Sequence, residues 1–567
     1  MNVASDVIAL GINDGHNAGA ALVRNGHVVA AIQEERLVNE KNYSGVPSRA
    51  IHEVFRISGI HPADVDVVAI VSLNRVYAPL KELPWKVRFF EWMSPYVASH
   101  WWSRSYVRVL SKRRRMDELR GVLRDLGLAD KELIVVEHHR AHAATAFYPR
   151  PWEEPTLVLT ADGAGDGLSS TVGVGDRYVI ERIASSTYYD SVGNSFYSEV
   201  TAYLGMKRWE HEYKVMGLAP YGRADYCLDA MRSLIRIHPG RPLEFQNTSG
   251  ACGTRVQKVL RRRLANERFD NIAAACQQHF EELMVQWVRN AIAATGLHKV
   301  ACAGGLFLNV KANKRLRELP EVEDIFFYPA CDDGGTPVGA ALEAYYRFCE
   351  REGRKPWREP LGPIYYGTEY GDEEIESILN RKVYAGKAEK IDEIDAELGE
   401  LVAKGKIVAR FAGGAEWGPR ALGNRTILAD PRDLRVVKRI NTAIKQRDFW
   451  MPFAPSILEE HMDEYLVSAR PARYMIEAFD TTEQAESLAA ALHPQDRTAR
   501  PQTVNSWNLG YRRAIEAFRE KSGIGGILNT SFNLHGYPIA GTPELALWTF
   551  ENSALDALAL EGYLITK

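Results

Sequence analysis

Apolar runs and polar glycine turns follow one another in the same order in two separate stretches of the chain. The first stretch has apolar runs at 7–12, 20–23 and 27–32, and the second has them at 156–161, 170–174 and 178–180. Short apolar runs separated by such turns predict a three-stranded meander in each stretch. Asp14-Gly15 and Asp162-Gly163 stand at the same place after the first strand. We therefore predict an internal duplication.

A repeated order of strand, Asp-Gly turn, strand and strand resembles the actin and sugar-kinase superfamily, in which each copy opens one lobe of an α/β domain. The turn in each lobe can hold a nucleotide phosphate on backbone N–H groups, and its aspartate can hold the accompanying metal ion. Glycine suits such a turn because a phosphate approaches the backbone closely.

Apolar patterning also places later elements of the first half. The run at 133–136 predicts a buried strand. Long amphipathic helices are predicted at 271–298 and 338–349, and strands at 300–303 and 325–328. Gly304-Gly305 joins a strand to a helix start, which is a sensible nucleotide contact. It matches neither the Rossmann nor the P-loop fingerprint.

A charged stretch with three prolines at 350–365 predicts a domain boundary. We place the first domain at 1–360, with an insertion at about 80–125, and the second at 361–567. In the second domain, the pattern predicts helices near 373–381 and 391–404 and a strand at 406–411.

His138 and His142 lie four residues apart at the start of a predicted helix that ends at Pro149. Residues four apart share one helix face, where two imidazoles can bind one metal ion. A divalent ion would also need carboxylates from elsewhere in the chain. The alternative is that both histidines make ordinary hydrogen bonds at a helix N-terminus.

The predicted insertion carries eight aromatic residues between Trp85 and Tyr106, followed by the basic cluster 112–115. We favour a helical insertion with an aromatic core face and a solvated basic end. A wall for a bulky substrate is a second interpretation, because amphipathic aromatic side chains suit sugars and polyketides. A membrane-surface role is a third.

Composition excludes several classes of protein. The net charge of −3 gives no overall attraction to nucleic acid or to anionic membranes. The six cysteines are scattered without a Cys-x-x-Cys pair, as expected for a reducing cytoplasm rather than for a zinc or disulfide framework. We see no signal peptide and no apolar run long enough to span a bilayer.

Basic residues stand beside glycine, serine and asparagine in four loops of the second domain. These loops are 413–425, 445–456, 497–504 and 528–533. Forked guanidiniums with hydroxyl and amide donors form compact anion sites, whereas the alternative is a set of solvated charges. In the first domain, Lys214 is followed by small residues and suits either a phosphate contact or a surface turn.

Five motifs in family order identify a resemblance that runs nearly end to end. They are His138-His139-Arg140-Ala141-His142, Lys214-Val215-Met216-Gly217-Leu218, Gly418-Pro419-Arg420-Ala421-Leu422-Gly423, Arg500-Pro501-Gln502-Thr503-Val504 and Asn529-Thr530-Ser531-Phe532-Asn533. The sequence resembles the O-carbamoyltransferases of the nodulation-protein-U type, which include antibiotic carbamoyltransferases such as the tobramycin enzyme.

The resemblance implies an actin-like, two-lobed N-terminal domain that binds ATP and a metal, followed by a YrdC-like α/β domain. It also implies a route. Carbamoyl phosphate and ATP, with its Mg²⁺, would give carbamoyl-adenylate in the second domain, and a hydroxyl of a natural product would take the carbamoyl group in the first.

The resemblance also implies residue roles. His138, His142, Asp162 and Asp333 would bind the metal, with iron expected and manganese, zinc or magnesium as alternatives. His16 would act as general base, oriented by Asp14. ATP would contact Lys41, Lys214, Gly304, Gly305 and Asn309. Carbamoyl phosphate would contact Arg420, Lys445, Arg447, Arg500, Ser531 and Asn533.

One position departs from the family pattern. Met451 stands where several relatives carry arginine, so either Lys445 or Arg447 supplies that charge or an arginine at this position is not essential. The acceptor is not transferred from relatives; an antibiotic, polyketide or sugar is expected, without nucleic-acid or membrane partners, and a homodimer is left open. The alternatives are a tRNA threonylcarbamoyl-type enzyme and a non-catalytic, actin-like nucleotide-binding protein. Apart from the short segment 104–115, the chain lacks the stripe of basic residues and stacking aromatics that a tRNA enzyme would need.

Overall fold

An antiparallel meander extended by two parallel strands forms the first sheet. The computed structural model describes residues 6–73, 115–381, 384, 387–445 and 448–567. The strands are β1 (Ile8–Asn13), β2 (Gly19–Arg24), β3 (His27–Gln33), β4 (Val67–Val71) and β5 (Glu132–Val136). Their order across the sheet is β3-β2-β1-β4-β5, with β1, β4 and β5 parallel. The helices of this part are α1 (Glu35–Val38), α2 (Ser48–Ser58), α3 (115–125) and α4 (His138–Phe147).

The second sheet repeats the plan of the first. Its strands are β6 (Thr156–Gly165), β7 (Leu168–Asp176), β8 (Val179–Thr187), β11 (Lys299–Ala303) and β12 (Asp324–Phe327), in the order β12-β11-β6-β7-β8. The first three are antiparallel and the last two run parallel to β6. The predicted repeat of the meander is therefore confirmed. Both sheets contain antiparallel and parallel strand pairs, and the fold class is α/β.

Seven helices and one small ribbon complete the described part of the first half after the second meander. The ribbon pairs β9 (Ile235–His238) with β10 (Arg241–Asn247). The helices are α5 (Ser198–Tyr203), α6 (Glu212–Leu218), α7 (Leu228–Arg232), α8 (Val256–Arg263), α9 (Phe269–Thr295), α10 (Val310–Arg317) and α11 (Thr336–Arg351). The long helices predicted at 271–298 and 338–349 correspond to α9 and α11.

Two details of the sequence prediction are wrong. The run at 133–136 is predicted to be buried, but β5 is an edge strand, and Leu133 and Val135 are 37% and 38% exposed. A strand at a sheet edge covers only part of its side chains. The basic cluster 112–115 is predicted to be solvated, but Arg115 is only 6% exposed and donates to the Asp14 carbonyl at 2.8 Å. The aromatic segment 85–106 lies outside the described residues.

Helix α11 packs directly against α4 and against the first sheet. A Cβ on Gly339 would lie 2.0 Å from the Ala141 carbonyl oxygen of α4. A Cβ on Gly11 of β1 would lie 2.0 Å from the Pro337 carbonyl oxygen of α11. Glycine at both places allows backbone to touch backbone. The start of α11, which follows Asp333, is therefore fixed against the helix that carries His138 and His142.

The last part of the chain forms an eight-stranded mixed sheet, ordered β13-β20-β19-β14-β15-β18-β16-β17. The strands are β13 (Ala388–Lys390), β14 (Val408–Phe411), β15 (Arg425–Ala429), β16 (Ala454–Leu458), β17 (Gln502–Val504), β18 (Gly526–Ser531), β19 (Ala557–Leu560) and β20 (Tyr563–Thr566). Its helices are α12 (Asp372–Arg381), α13 (Ile394–Ala403), α14 (Leu434–Ile440), α15 (Met462–Tyr465), α16 (Leu509–Ser522) and α17 (Pro543–Glu551).

Loops of this last part are hydrogen-bonded to the first half at several points. Arg36, only 2% exposed, donates to the Glu416 carbonyl at 2.5 Å and also to the Gly418 carbonyl. His493 shares a hydrogen bond of 2.8 Å with the Gly217 carbonyl. Buried hydrogen bonds of this kind fix the orientation of the loops relative to the first half, because breaking them would leave buried polar groups without partners.

Among the residues that the structure describes, no helix combines the length and the apolar character needed to cross a bilayer.

Candidate active site

Three separate segments bring two histidines and two aspartates together. His138 and His142 lie on α4, Asp162 lies in β6, and Asp333 lies in the turn between β12 and α11. One ligand atom from each of the four lies within 4.8 Å of every other. These are the four side chains that the sequence resemblance assigns to a metal.

The separations suit a common metal ion. The Nε2 atoms of His138 and His142 are 3.1 Å apart. Each Nε2 is 3.4 Å from Asp333 Oδ1, and His138 Nε2 is 3.4 Å from Asp162 Oδ2. Donors held about 2.1 Å from one ion at tetrahedral or octahedral angles stand about 3.0 to 3.4 Å apart. Asp333 Oδ1 is buried and accepts no hydrogen bond from the described residues, so the donor set fits a divalent ion.

Electrostatics favour a positive charge among these four side chains. Burial lowers the pKa of His138, but the carboxylates of Asp333 and Asp162 outweigh it and raise the pKa to about 9. For Asp162, burial raises the pKa. The hydrogen bond from His138 and the charge of the nearby histidines outweigh burial and hold this pKa well below its usual range. A proton on His138 thus supplies the charge that a cation would supply.

The predicted glycine pair supports Asp162. The Gly305 N–H donates to Asp162 Oδ1 at 3.0 Å, leaving Oδ2 directed at His138. Gly304 has φ 105°, and a Cβ there would lie 2.2 Å from the Ala161 carbonyl oxygen. Only glycine fits this conformation and this space. Both glycines therefore place backbone beside Asp162. Together, the side chains of His138, His142, Asp162 and Asp333 form the metal group.

An asparagine that the sequence reasoning missed joins the first turn to the Asp333 turn. The Asn13 amide donates to the His16 carbonyl at 2.8 Å and to the Asp333 carbonyl at 3.2 Å. His16 Nδ1 then lies 3.9 Å from Asp333 Oδ2. Asp14 is 1% exposed, and its carbonyl accepts the bond from Arg115.

The remaining predicted nucleotide contacts occupy different settings. Lys41 lines the cavity whose wall also includes Asp162 and Asp333. Its Nζ is 3.3 Å from Glu210 Oε1. Asn309 lines the same cavity, but its Oδ1 caps α10 by accepting the Ala312 N–H at 3.1 Å. Lys214 is 8% exposed, and its Nζ pairs with Asp448 Oδ2 at 3.0 Å. Lys214 thus lies at the contact between α6 and the last part of the chain.

Lys445 forms a compact polar cluster with two residues that follow one another closely at the end of β18. Its Nζ donates to Asn533 Oδ1 at 2.6 Å and to Ser531 Oγ at 3.2 Å. Ser531 Oγ also donates to Asn533 Oδ1 at 2.6 Å. Arg447 lies outside the described residues.

Two predicted arginines lie near Lys445, and the three residues Arg420, Lys445 and Arg500 form the cationic group. Arg420 and Arg500 line the same cavity as Lys445. Burial lowers the pKa of Arg420, whose Nε is buried without a hydrogen-bond acceptor among the described residues. A buried donor without an acceptor costs free energy unless a ligand supplies one. Met451 lies in the cavity wall, beside Gly217.

One cavity of about 680 Å³ joins the metal group to the cationic group. Its wall includes Asp162 and Asp333 at the first group and Arg420, Lys445 and Arg500 at the second. This size accommodates a nucleotide-sized ligand, since small-molecule sites span about 300 to 1,000 Å³. Residues of both groups therefore face the same cavity.

Several wall residues carry no local sequence signal. Trp209 is 54% exposed and holds φ 62°, which is rare for a bulky residue. Its indole N–H donates to Asn194 Oδ1 at 2.8 Å. Asp332 lines the cavity, accepts a bond from Asn17 at 3.3 Å, and has its pKa raised to about 6 by burial and by Asp333. Only distant neighbours define these residues as part of the site.

Two family models match this chain and cover most of it. Residues 8–342 match the carbamoyltransferase N-terminus, and residues 399–567 match the carbamoyltransferase C-terminus. The chain belongs to the carbamoyltransferase family. It is accordingly a carbamoyltransferase enzyme, and the resemblance inferred from the five motifs is confirmed.

Two nodulation proteins align with most of this carbamoyltransferase. Nodulation protein NolNO of Sinorhizobium fredii is 32% identical over 562 residues, covering 97% of this chain and 79% of that protein. Nodulation protein NolO of Bradyrhizobium diazoefficiens is 33% identical over 440 residues, covering 76% and 79%. A crystal structure of full-length HypF in its phosphate- and nucleotide-bound form aligns with a TM-score of 0.34 at 15% identity, covering 62% of this chain and 57% of that one.

Proposed function

We propose that this carbamoyltransferase uses ATP and carbamoyl phosphate to carbamoylate a hydroxyl group of a small natural product. The observation that supports this most strongly is the single cavity that carries a cationic group at one place and a metal-binding group at another. An activated carbamoyl group can be made at the first and used at the second. The acceptor would be an antibiotic, a polyketide or a sugar.

The first reaction would take place at the cationic group. Arg420, Lys445 and Arg500 would bind the phosphate groups, since guanidinium and ammonium donors suit dianionic oxygen. Carbamoyl phosphate, ATP and water would yield carbamoyl-adenylate, phosphate and pyrophosphate. Ser531 and Asn533 orient the Lys445 ammonium through their hydrogen bonds.

The second reaction would take place beside His138 and His142. His16 would remove the proton of the acceptor hydroxyl, whose oxygen attacks the carbamoyl carbon as AMP leaves. His138, His142, Asp162 and Asp333 would hold a divalent ion, with Fe²⁺, Mn²⁺, Zn²⁺ and Mg²⁺ as candidates. When bound, the ion would supply positive charge that stabilises the departing AMP. Asn13 holds His16 close to this point.

The two reactions would belong to two different domains. We propose an actin-like domain at 1–360, because both its sheets share one strand order, and a YrdC-like domain at 361–567. Lys41, Gly304, Gly305 and Asn309 would contact the nucleotide in the first domain. Lys214 would contribute through its pairing with Asp448 rather than from the cavity wall.

Pyrophosphate release tests the first reaction. Lys445→Ala should lower the rate of pyrophosphate release from ATP and carbamoyl phosphate by at least about 100-fold, since one buried charge-assisted contact contributes about 3 kcal/mol. Lys404→Ala is the matched control, because Lys404 follows α13 with a side chain that is 59% exposed, and its Nζ lies 3.6 Å from Glu400 Oε2. Release at the wild-type rate from Lys445→Ala would show that the cationic group does not bind carbamoyl phosphate.

A further inference from the structure

A tight turn joins β6 to β7 beside the metal group. Asp166 and Gly167 both have positive φ, 50° and 90°, and they alone separate the two strands. Two such residues form the type I′ turn that suits the twist of a hairpin. This turn fixes where Gly165 and the Asp166 carboxylate stand relative to α4.

The His138 imidazole lies against Gly165. A Cβ on Gly165 would lie 2.0 Å from His138 Cδ2 and 2.6 Å from His138 Nε2. Gly165 has no positive φ, so the position needs glycine for space and not for backbone conformation. The Nε2 atom involved is the one that faces Asp162 and Asp333.

The Asp166 carboxylate holds the backbone of the same histidine. Its Oδ2 accepts the His138 N–H at 2.8 Å and the Leu73 N–H at 2.9 Å. Its Oδ1 accepts the Ser72 hydroxyl at 2.8 Å. The first N–H groups of a helix lack partners within the helix, and a carboxylate there is favourable. Asp166 therefore fastens the start of α4 to the end of β4.

We propose that Gly165 and Asp166 are positioning residues that set the orientation of His138 toward the metal. Gly165 leaves room for the imidazole, and Asp166 fixes the backbone from which the imidazole extends. This inference rests on the metal site of the proposed function and adds two residues that touch neither metal nor substrate. Partners behind a metal ligand commonly change affinity by about 10- to 100-fold when removed.

Cobalt binding tests the proposal without any substrate. Metal-free full-length protein is titrated with Co²⁺, and the dissociation constant and the visible spectrum of the bound ion are recorded. Gly165→Ala and Asp166→Ala should each weaken Co²⁺ binding by about 10- to 100-fold and change the spectrum. Asp166→Asn, which keeps an acceptor for the His138 N–H, should recover part of the affinity.

Gly175→Ala is the matched control. A Cβ on Gly175 would lie 2.1 Å from the Phe147 ring, at the other end of the same helix α4. This variant should lose thermal stability as Gly165→Ala does and yet bind Co²⁺ like the wild type. If Gly165→Ala fails to fold, the two Asp166 variants decide the question.

The results distinguish the positioning role of Gly165 and Asp166 from the existence of the metal site. Wild-type affinity in both Gly165→Ala and Asp166→Ala, or an equal loss in Gly175→Ala, would overturn the positioning role and leave the metal site intact. A wild-type protein that binds no Co²⁺ would overturn the metal site and the positioning role together. Carbamoyl transfer is not measured, so failure of the proposed reaction leaves the test unaffected.

Discussion

His138 and His142 acquire a role only through residues far away in the chain. Their spacing on α4 is local and was predictable from the sequence. Asp162 stands out in the sequence because it lies in the repeated Asp-Gly turn, but no sequence pattern gives a reason to choose Asp333 among 73 acidic residues. The family resemblance selected them, and the structure places all four ligand atoms within 4.8 Å.

Asn13 offers a test at the scale of one side chain. Asn13→Ala should destabilise the protein by about 1 to 3 kcal/mol, because buried partners of the amide lose their hydrogen bonds. It should also slow carbamoyl transfer by about 10- to 100-fold through displacement of His16, with pyrophosphate release unchanged. Denaturant unfolding and the two partial reactions provide the measurements.

Asn25→Ala serves as its control, since Asn25 accepts the Val7 N–H at 2.8 Å in the next hairpin turn. That variant should lose stability without loss of transfer. Equal transfer rates in Asn13→Ala and the wild type would refute the role of Asn13.

Sequence reasoning found the charged residues of the site more readily than their supports. Histidine, lysine and arginine stand out in short motifs of the sequence. Asn13 has no such signal, because its partner Asp333 lies 320 positions further along the chain. Trp209 and Asp332 were missed for the same reason, as was the buried state of Arg115.

At the scale of secondary structure, period and turn chemistry predicted the two meanders and the helices with the strongest apolar pattern. Both meanders and helices α9, α11, α12 and α13 agree with the sequence prediction. Burial was harder to predict, because β5 has an apolar run and yet lies at a sheet edge. Whether a strand has a neighbour on both sides is a property of the sheet and not of the strand.

Glycine substitutions in two helices should have opposite effects. Gly339→Ala should destabilise by about 1 to 3 kcal/mol, because its Cβ would meet the Ala141 carbonyl and push α11 away from α4. Gly121→Ala in α3 should stabilise by about 0.5 to 1 kcal/mol, since no heavy atom of the described residues lies within 4 Å of its Cβ. Thermal unfolding measures both, and a stable Gly339→Ala protein would contradict the close packing of α4 and α11.

At the scale of the whole molecule, the site depends on how the two halves meet. Arg36 of α1 holds the loop that leads to Arg420, and His493 holds α6 through Gly217. These contacts bring the cationic group and the metal group to one cavity. The sequence predicted both groups and the boundary near 350–365, but it could not predict a shared cavity. Contacts between segments hundreds of residues apart leave no periodic pattern.

Separate assays of pyrophosphate release and of carbamoyl transfer distinguish the two reaction centres of the cavity. Acceptors are first identified as hydroxylated natural products that the wild type carbamoylates with labelled carbamoyl phosphate. His138→Ala should then release pyrophosphate at the wild-type rate, bind no metal, and transfer label to the same acceptors at least about 100-fold more slowly. Unchanged transfer by His138→Ala, or loss of both reactions in a folded protein, would contradict a cavity with two successive reaction centres.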